Sequence, residues 1–192
     1  ALPLAWSAST TGPVTAEAVA IPLRDNDMER FAADIEALRK QHAGKLKGKA
    51  VMTTPMRQLE LQLKPPARRY ADSELSALAV APDPAVPVDK VFDYSKLAEP
   101  ENPEERAAFL RNAPPAFREA LGEKRKELRR QLHEFLRSEG VVAVLTSDRR
   151  SDGGHVFGES AGWYEAKYPS PLPAITLTPE HYGRVMRLVQ AK

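Results

Sequence analysis

Apolar residues recur every three or four positions in three segments of the chain, a spacing that places them on one face of an α-helix. In the first segment Asp25 or Asp27 can cap the helix, and Gly44 can end it. Its apolar face consists of Met28, Phe31, Ile35 and Leu38. The pattern therefore predicts an amphipathic helix between these aspartates and Gly44.

The second segment predicts a long helix that begins at Pro115, because proline fits the first turn of a helix, and that ends at Gly140. Its apolar positions are Phe117, Leu121, Leu128, Leu132 and Phe135. The third segment begins at Thr178, which can cap a helix, and continues with Pro179 and Glu180. We expect its inner face to consist of Tyr182, Val185, Met186 and Val189.

Short runs rich in valine, alanine and threonine predict strands at residues 14–21, 50–54, 141–145 and 173–178. The run from Val141 to Leu145 is apolar at every position, as in a central strand covered on both sides. In the last run Ile175 and Leu177 alternate with Thr176 and Thr178, which predicts a half-buried strand. Strands that alternate with helices indicate an α/β fold.

Proline interrupts this pattern between about residues 55 and 115, where ten of the seventeen prolines occur. Because proline breaks helices and central strands, we expect an extended insertion with a short helix near Glu104 to Leu110. A length of 192 residues suits one domain carrying such an insertion. The formal net charge is only +2, and the lack of cysteine excludes disulfides and thiol nucleophiles.

Ser160 lies in a Gly-x-Ser-x-Gly segment, the pattern of the nucleophile elbow in serine hydrolases. An elbow needs a strand before the serine and a helix after it, but prolines at 169, 171 and 173 leave little room for that helix. His181 is the one histidine that follows the serine. A serine hydrolase that uses Ser160 is therefore kept as an alternative hypothesis only.

Two other classes of site have weak support in the sequence. The four histidines show no metal-ligand spacing, so no metal site is predicted. The basic stretch from Lys124 to Arg130 could follow a phosphate backbone, but interspersed glutamates neutralise it. Nucleic-acid binding is thus a second alternative, and no apolar run is long enough to span a membrane.

Three segments resemble the protease-associated (PA) domain found in secreted co-catalytic zinc peptidases, the aminopeptidase and glutamate-carboxypeptidase-like group known as metallopeptidase family twenty-eight. The segments are Pro3–Thr15, Gly44–Val51, and the helix, strand and loop that lead from Glu139 to Leu172-Pro173-Ala174-Ile175-Thr176-Leu177-Thr178-Pro179-Glu180-His181-Tyr182. The resemblance includes both ends of the chain and the core strands.

This resemblance implies a PA-type swivelling β/β/α domain over residues 1–192, with a small sheet, flanking helices and the insertion at about 55–115. It also implies a chain without catalytic residues, cut from a secreted or periplasmic parent whose zinc lies in a neighbouring catalytic domain. Expected partners are that peptidase domain and a peptide or protein substrate, with neither nucleic acid nor membrane. An inserted domain must re-enter its host, so Ala1 and Lys192 are expected to lie close together.

The contact surface is predicted in the loop from Ser147 to Tyr164, because loops at the carboxyl ends of central strands commonly carry function. The loop offers charge, flexible glycines and two large aromatic rings. Its candidate residues are Asp148, Arg149, Arg150, Asp152, Gly153, Gly154, Trp163 and Tyr164. The alternative is that Trp163 and Tyr164 only pin the loop to the core.

Overall fold

A computed structural model of the chain describes residues 1–59, 63, 67–80, 93–150 and 154–191, with the side chains of 103, 104 and 107 excepted. The strands are β1 Leu2–Pro3, β2 Ala18–Ala20, β3 Ala50–Met52, β4 Ala143–Ser147 and β5 Ala174–Leu177. The helices are α1 Met28–His42, α2 Asp72–Ala79, α3 Pro103–Asn112, α4 Pro115–Ser138 and α5 Pro179–Gln190. The chain is thus of mixed α/β class, as predicted.

The strands form one five-stranded sheet in the order β1-β5-β4-β3-β2. Strands β2 to β5 run parallel to one another, and β1 pairs antiparallel with β5 at the edge. The apolar strand β4 occupies the centre, which confirms the prediction from its sequence. All the parallel strands therefore end at the same edge of the sheet.

Local sequence signals set the ends of the three main helices. Asp27 caps α1 by accepting the backbone N–H groups of Glu29 and Arg30, each at 3.0 Å. Thr178 caps α5 in the same way, through the N–H of His181. Gly140 follows α4 with a φ of 77°, which a side chain would disfavour, and an added Cβ would lie 3.3 Å from Lys47.

The sheet is covered on both faces. Val144 faces a layer in which α1 and α4 pack together, and it lines one cavity with Phe31 and Leu132 of those helices. Met52 points to the opposite face, where it forms a cluster with Tyr182 and Met186 of α5. This three-layer arrangement gives the parallel strands the double cover that they require.

All four predicted strands differ in their bounds from the observed strands, and β1 was not predicted. Strand β5 is half-buried, as predicted, with Thr176 fully buried and Ile175 37% exposed. Both faces of β5 are in use, because Leu177 packs against the α5 cluster while Thr176 faces the other layer. Strand β4 also continues to Ser147, because Thr146 and Ser147 pair with β5, and the loop begins only at Asp148.

The chain divides into two compact units, one made of Ala1–Leu59 with Tyr94–Lys192 and the other of Glu60–Asp93. The smaller unit falls within the proline-rich stretch and contains α2, where Arg68 forms an ion pair with Glu74. The larger unit contains the sheet and α3, which confirms the short helix expected near Glu104 to Leu110. Lys192 lies outside the described residues, so the predicted proximity of the chain ends remains a prediction.

None of the helices that the structure describes is long and apolar enough to cross a membrane.

Candidate functional site

A cavity of about 100 Å³ lies at the edge of the sheet where the parallel strands end. Asp25 follows β2, Thr54 follows β3 and Arg149 follows β4, and all three line it. Arg129 and His133 of α4 contribute to its wall. In open α/β sheets this edge is the usual place for ligand binding.

Asp25 is the centre of a charge network at this cavity. Its carboxylate accepts a hydrogen bond from Arg129 at 2.9 Å and another from Arg149. Burial alone would raise the pKa of Asp25, but the positive charges of Arg149 and Arg129 lower it to about 2. The ionised carboxylate thus ties the β2–α1 connection to α4 and to the loop after β4.

His133 lies buried beside this network. Its Nδ1 accepts the backbone N–H of Leu172 at 3.1 Å, so the neutral ring carries its proton on Nε2. Burial, together with the positive charges of Arg137 and Arg129, lowers the pKa of His133 to about 4. The ring is therefore neutral at physiological pH.

Ser160 lines the same cavity as His133, which the sequence did not predict. A serine nucleophile needs a ring nitrogen that can accept its proton, but Nδ1 of His133 is bonded to Leu172 and Nε2 is protonated. Ser160 forms only an isolated bridge with Ala5, and residues 161–173, all of which are described, contain no helix. This local geometry does not match a nucleophile elbow.

The loop after β4 is held from inside by Asp148, whose side chain is completely buried. Its carboxylate accepts the backbone N–H groups of Arg150, at 2.8 Å, and of Phe157. Its own N–H donates to the carbonyl of Leu177 at 3.0 Å. Asp148 therefore supports the loop and does not belong to an accessible contact surface.

Trp163 fixes the far end of the same loop. The side chain is 3% exposed, and its Nε1–H donates to the carbonyl of Pro169 at 3.0 Å. The ring meets His133 edge to face, with centroids 5.3 Å apart. For Trp163 the structure thus agrees with a pinning role, whereas the adjacent Tyr164 is 70% exposed.

Tyr164 stacks on another exposed aromatic residue, Trp6. The ring centroids lie 5.3 Å apart at an angle of 43°, and Trp6 is 59% exposed. Among the described non-glycine residues, Trp6 alone has a positive φ, of 59°. The pair borders a cleft of about 280 Å³ that Tyr168 and Ser170 also line.

The other predicted contact residues occupy different positions in the loop. Arg149 pairs with Asp25, as described above, and Arg150 lies 3.5 Å from a carboxylate oxygen of Glu159. Gly154 has a φ of 84°, consistent with the flexibility expected there. Asp152 and Gly153 lie outside the described residues.

Each basic residue between Lys124 and Arg130 contacts an acid or an aromatic ring of the larger unit. Because four of these five contacts are ion pairs, this stretch does not present a continuous positive track for a phosphate backbone. The pairs are Lys124 with Glu127, Arg125 with Glu99, Lys126 with Glu123, Arg129 with Asp25, and Arg130 over the ring of Tyr168.

Within the part of the chain that the structure describes, no group of three or more histidine, aspartate or glutamate side chains is placed to hold a metal ion.

Three residues of this region were missed by the sequence analysis. Asp25 was interpreted as a possible helix cap, but Asp27 caps α1 and Asp25 binds arginines instead. Arg129 was interpreted as part of a solvated helix face, and Trp6 as part of the opening segment. The one sequence signal that could have singled out Trp6 is its large side chain among small neighbours. Its positive φ could not be predicted, because outside glycine a positive φ has no reliable sequence signal.

Comparison with protein-family models, with curated proteins and with solved structures gives no match. Inference of function therefore rests on the geometry described above and on the resemblance of the sequence segments.

Proposed function

We propose that this chain is a non-catalytic interaction module of the PA type. It covers or shapes the substrate approach of a zinc peptidase domain in the same secreted or periplasmic parent protein. The observation that supports this proposal best is the exposed aromatic pair of Trp6 and Tyr164, held on a rigid base. The chain itself contributes no nucleophile, base or zinc ligand to the peptidase reaction.

The chemistry of the pair suits a protein interface. Tryptophan and tyrosine are enriched among the residues that dominate binding energy, because they offer a large area at a small cost in conformational entropy. Trp163 and Asp148 hold the loop that carries Tyr164. The loop therefore loses little conformational entropy when a partner binds. The pair forms a preorganised contact surface, which we call the aromatic surface.

The backbone at Trp6 gives a second argument. A bulky residue with a positive φ stores strain of about 1–3 kcal/mol, and such strain concentrates at functional sites. Hydrogen bonds hold the turn on either side, from Ala5 N–H to Glu159 and from Ala8 N–H to Pro171, both at 2.8 Å. The fold therefore keeps an exposed tryptophan in an unfavourable conformation, which is expected where a partner contacts the ring.

The proposal predicts the behaviour of the parent peptidase when Trp6→Ala and Tyr164→Ala are combined. We expect kcat/KM for peptides to fall about tenfold or more, because truncating such aromatic contacts typically costs about 2 kcal/mol. The melting temperature should hardly change, since both side chains are exposed. Leu188→Ala, at an exposed apolar position on α5, is the matched control. Unchanged kinetics in the double variant would contradict the proposal.

A fluorophosphonate probe distinguishes the proposal from the hydrolase alternative. The 192-residue chain should remain unlabelled, because His133 cannot accept the proton of Ser160. Labelling that is lost in Ser160→Ala would overturn the non-catalytic assignment.

A further inference from the structure

A second cleft, of about 320 Å³, adjoins the cavity at the carboxyl ends of β2 and β3. Arg24, Arg57, Arg106 and Arg149 are among the residues that line it. We call it the arginine cleft. Its apolar lining comes from Leu23, Pro55 and Met56.

Positive charge exceeds negative charge around this cleft. Four arginines line it, against the two carboxylates of Asp25 and Glu101, and one of the four, Arg24, is paired with Asp34 outside the lining. The acids are also shared, because Asp25 binds Arg129 as well as Arg149, and the exposed Glu101 lies 3.6 Å from Arg30. The arginine cleft thus concentrates positive side chains on a concave part of the surface, although the whole chain is nearly neutral.

Buried carboxylates orient the arginines. Glu99, with a side chain 8% exposed, accepts from Arg125 at 2.6 Å and lies 3.6 Å from Arg106. Asp25 holds Arg149 in the same way, and Arg57 donates to the carbonyl of Arg149 at 2.9 Å. A guanidinium carries five N–H donors, and the bond to Asp25 uses one nitrogen of Arg149. The remaining edge of such a fork suits a planar carboxylate.

We propose that the arginine cleft binds a small molecule that carries two or more carboxylates. The volume lies at the lower end of the range for small-ligand pockets, about 300–1,000 Å³, and a guanidinium group can donate two parallel hydrogen bonds to a carboxylate. Leu23 and Met56 can contact the carbon skeleton between the carboxylates. This site is separate from the aromatic surface, so it does not depend on the proposed docking role.

Calorimetric titration of the 192-residue chain with citrate tests the site, with inorganic phosphate as the comparison anion. We expect citrate to bind more tightly than phosphate. Arg57→Gln and Arg149→Lys should each weaken citrate binding about tenfold or more, because each variant loses charge-assisted hydrogen bonds from a planar guanidinium group. Lysine keeps the charge beside Asp25 but loses the planar fork, so the second variant is expected to fold.

Arg39→Ala is the matched control, because Arg39 pairs with Glu36 on α1 and does not line the cleft. Its citrate affinity should equal that of the wild type. Citrate that binds all variants equally, phosphate that binds as tightly as citrate, or an absence of citrate binding would each overturn the proposal.

Discussion

Trp6 shows how a single residue can oppose the local preferences of the chain. A left-handed backbone is rare for a large side chain, and exposing more than half of an indole forgoes much of its apolar burial. Neither feature improves the fold, yet flanking hydrogen bonds from Ala5 and Ala8 enforce the conformation. We interpret this residue as one kept for contact with a partner.

His133 has the opposite character, because its role is internal. The imidazole acts as a buried acceptor for Leu172, which only the neutral form can do at Nδ1. The native pKa is about 4, whereas an unperturbed histidine titrates near 6.5. Between these values the unfolded chain binds more protons than the native chain, so stability falls as the pH decreases from 6.5 to 4.

This linkage predicts that the free energy of unfolding of the wild type decreases by about 2 kcal/mol between about pH 7 and about pH 5. In His133→Asn the amide oxygen can still accept from Leu172, but nothing at that position titrates. Urea unfolding at the two pH values should therefore show a decrease in the free energy of unfolding that is about 2 kcal/mol smaller in the variant than in the wild type. Asp25, with a pKa of about 2, does not titrate in this window. Equal decreases in both proteins would contradict the account of His133.

Among the elements, the loop after β4 depends on two internal supports. Asp148 binds backbone N–H groups at its start, and Trp163 is buried against α4 at its end. The exposed residue Tyr164 lies directly beside one of these supports. Neighbouring aromatic residues thus have different roles, since Trp163 anchors the loop and Tyr164 faces solvent.

Urea unfolding of two single variants tests this division. Trp163→Ala should lower the free energy of unfolding by about 3–5 kcal/mol, because it empties a buried aromatic site. Tyr164→Ala should change it by less than about 1 kcal/mol, because the ring is mostly in solvent. The reverse order of effects, or equal effects, would show that the loop is supported in some other way.

Most helices and strands follow from local sequence. Helices α1, α4 and α5 begin and end where Asp27, Pro115, Thr178 and Gly140 place them, because caps and glycine stops act over a few residues. The central position of β4 follows from an uninterrupted apolar run. Such signals are local, and the sequence displays them directly.

Other features depend on contacts between distant segments. Alternation in β5 did not show which side chains are buried, because α5 and the opposite layer cover both sides of the strand. The pairing of Asp25 with Arg129 joins residues 104 positions apart, so local charge patterns cannot reveal it. The burial of Asp148 and Trp163 could not be predicted for the same reason, because it is set by tertiary packing.

At the scale of the molecule, the larger unit combines a three-layer core with two different surfaces. The aromatic surface suits a protein partner, and the arginine cleft suits a small carboxylate ligand. The two are lined by different residues, so variants can address each one separately. The central claim concerns the first of them, because it gives the chain its proposed role beside a peptidase domain.

Hydroxyl-radical footprinting of side chains, read by mass spectrometry, tests that claim most directly. The 192-residue chain is compared with the proposed parent peptidase, with Trp163 as the buried reference and Tyr70, 53% exposed, as the exposed one. We predict that Trp6 and Tyr164 are oxidised rapidly in the isolated chain and are protected in the parent to nearly the level of Trp163. Equally rapid oxidation of Trp6 and Tyr164 in both proteins would contradict docking through the aromatic surface.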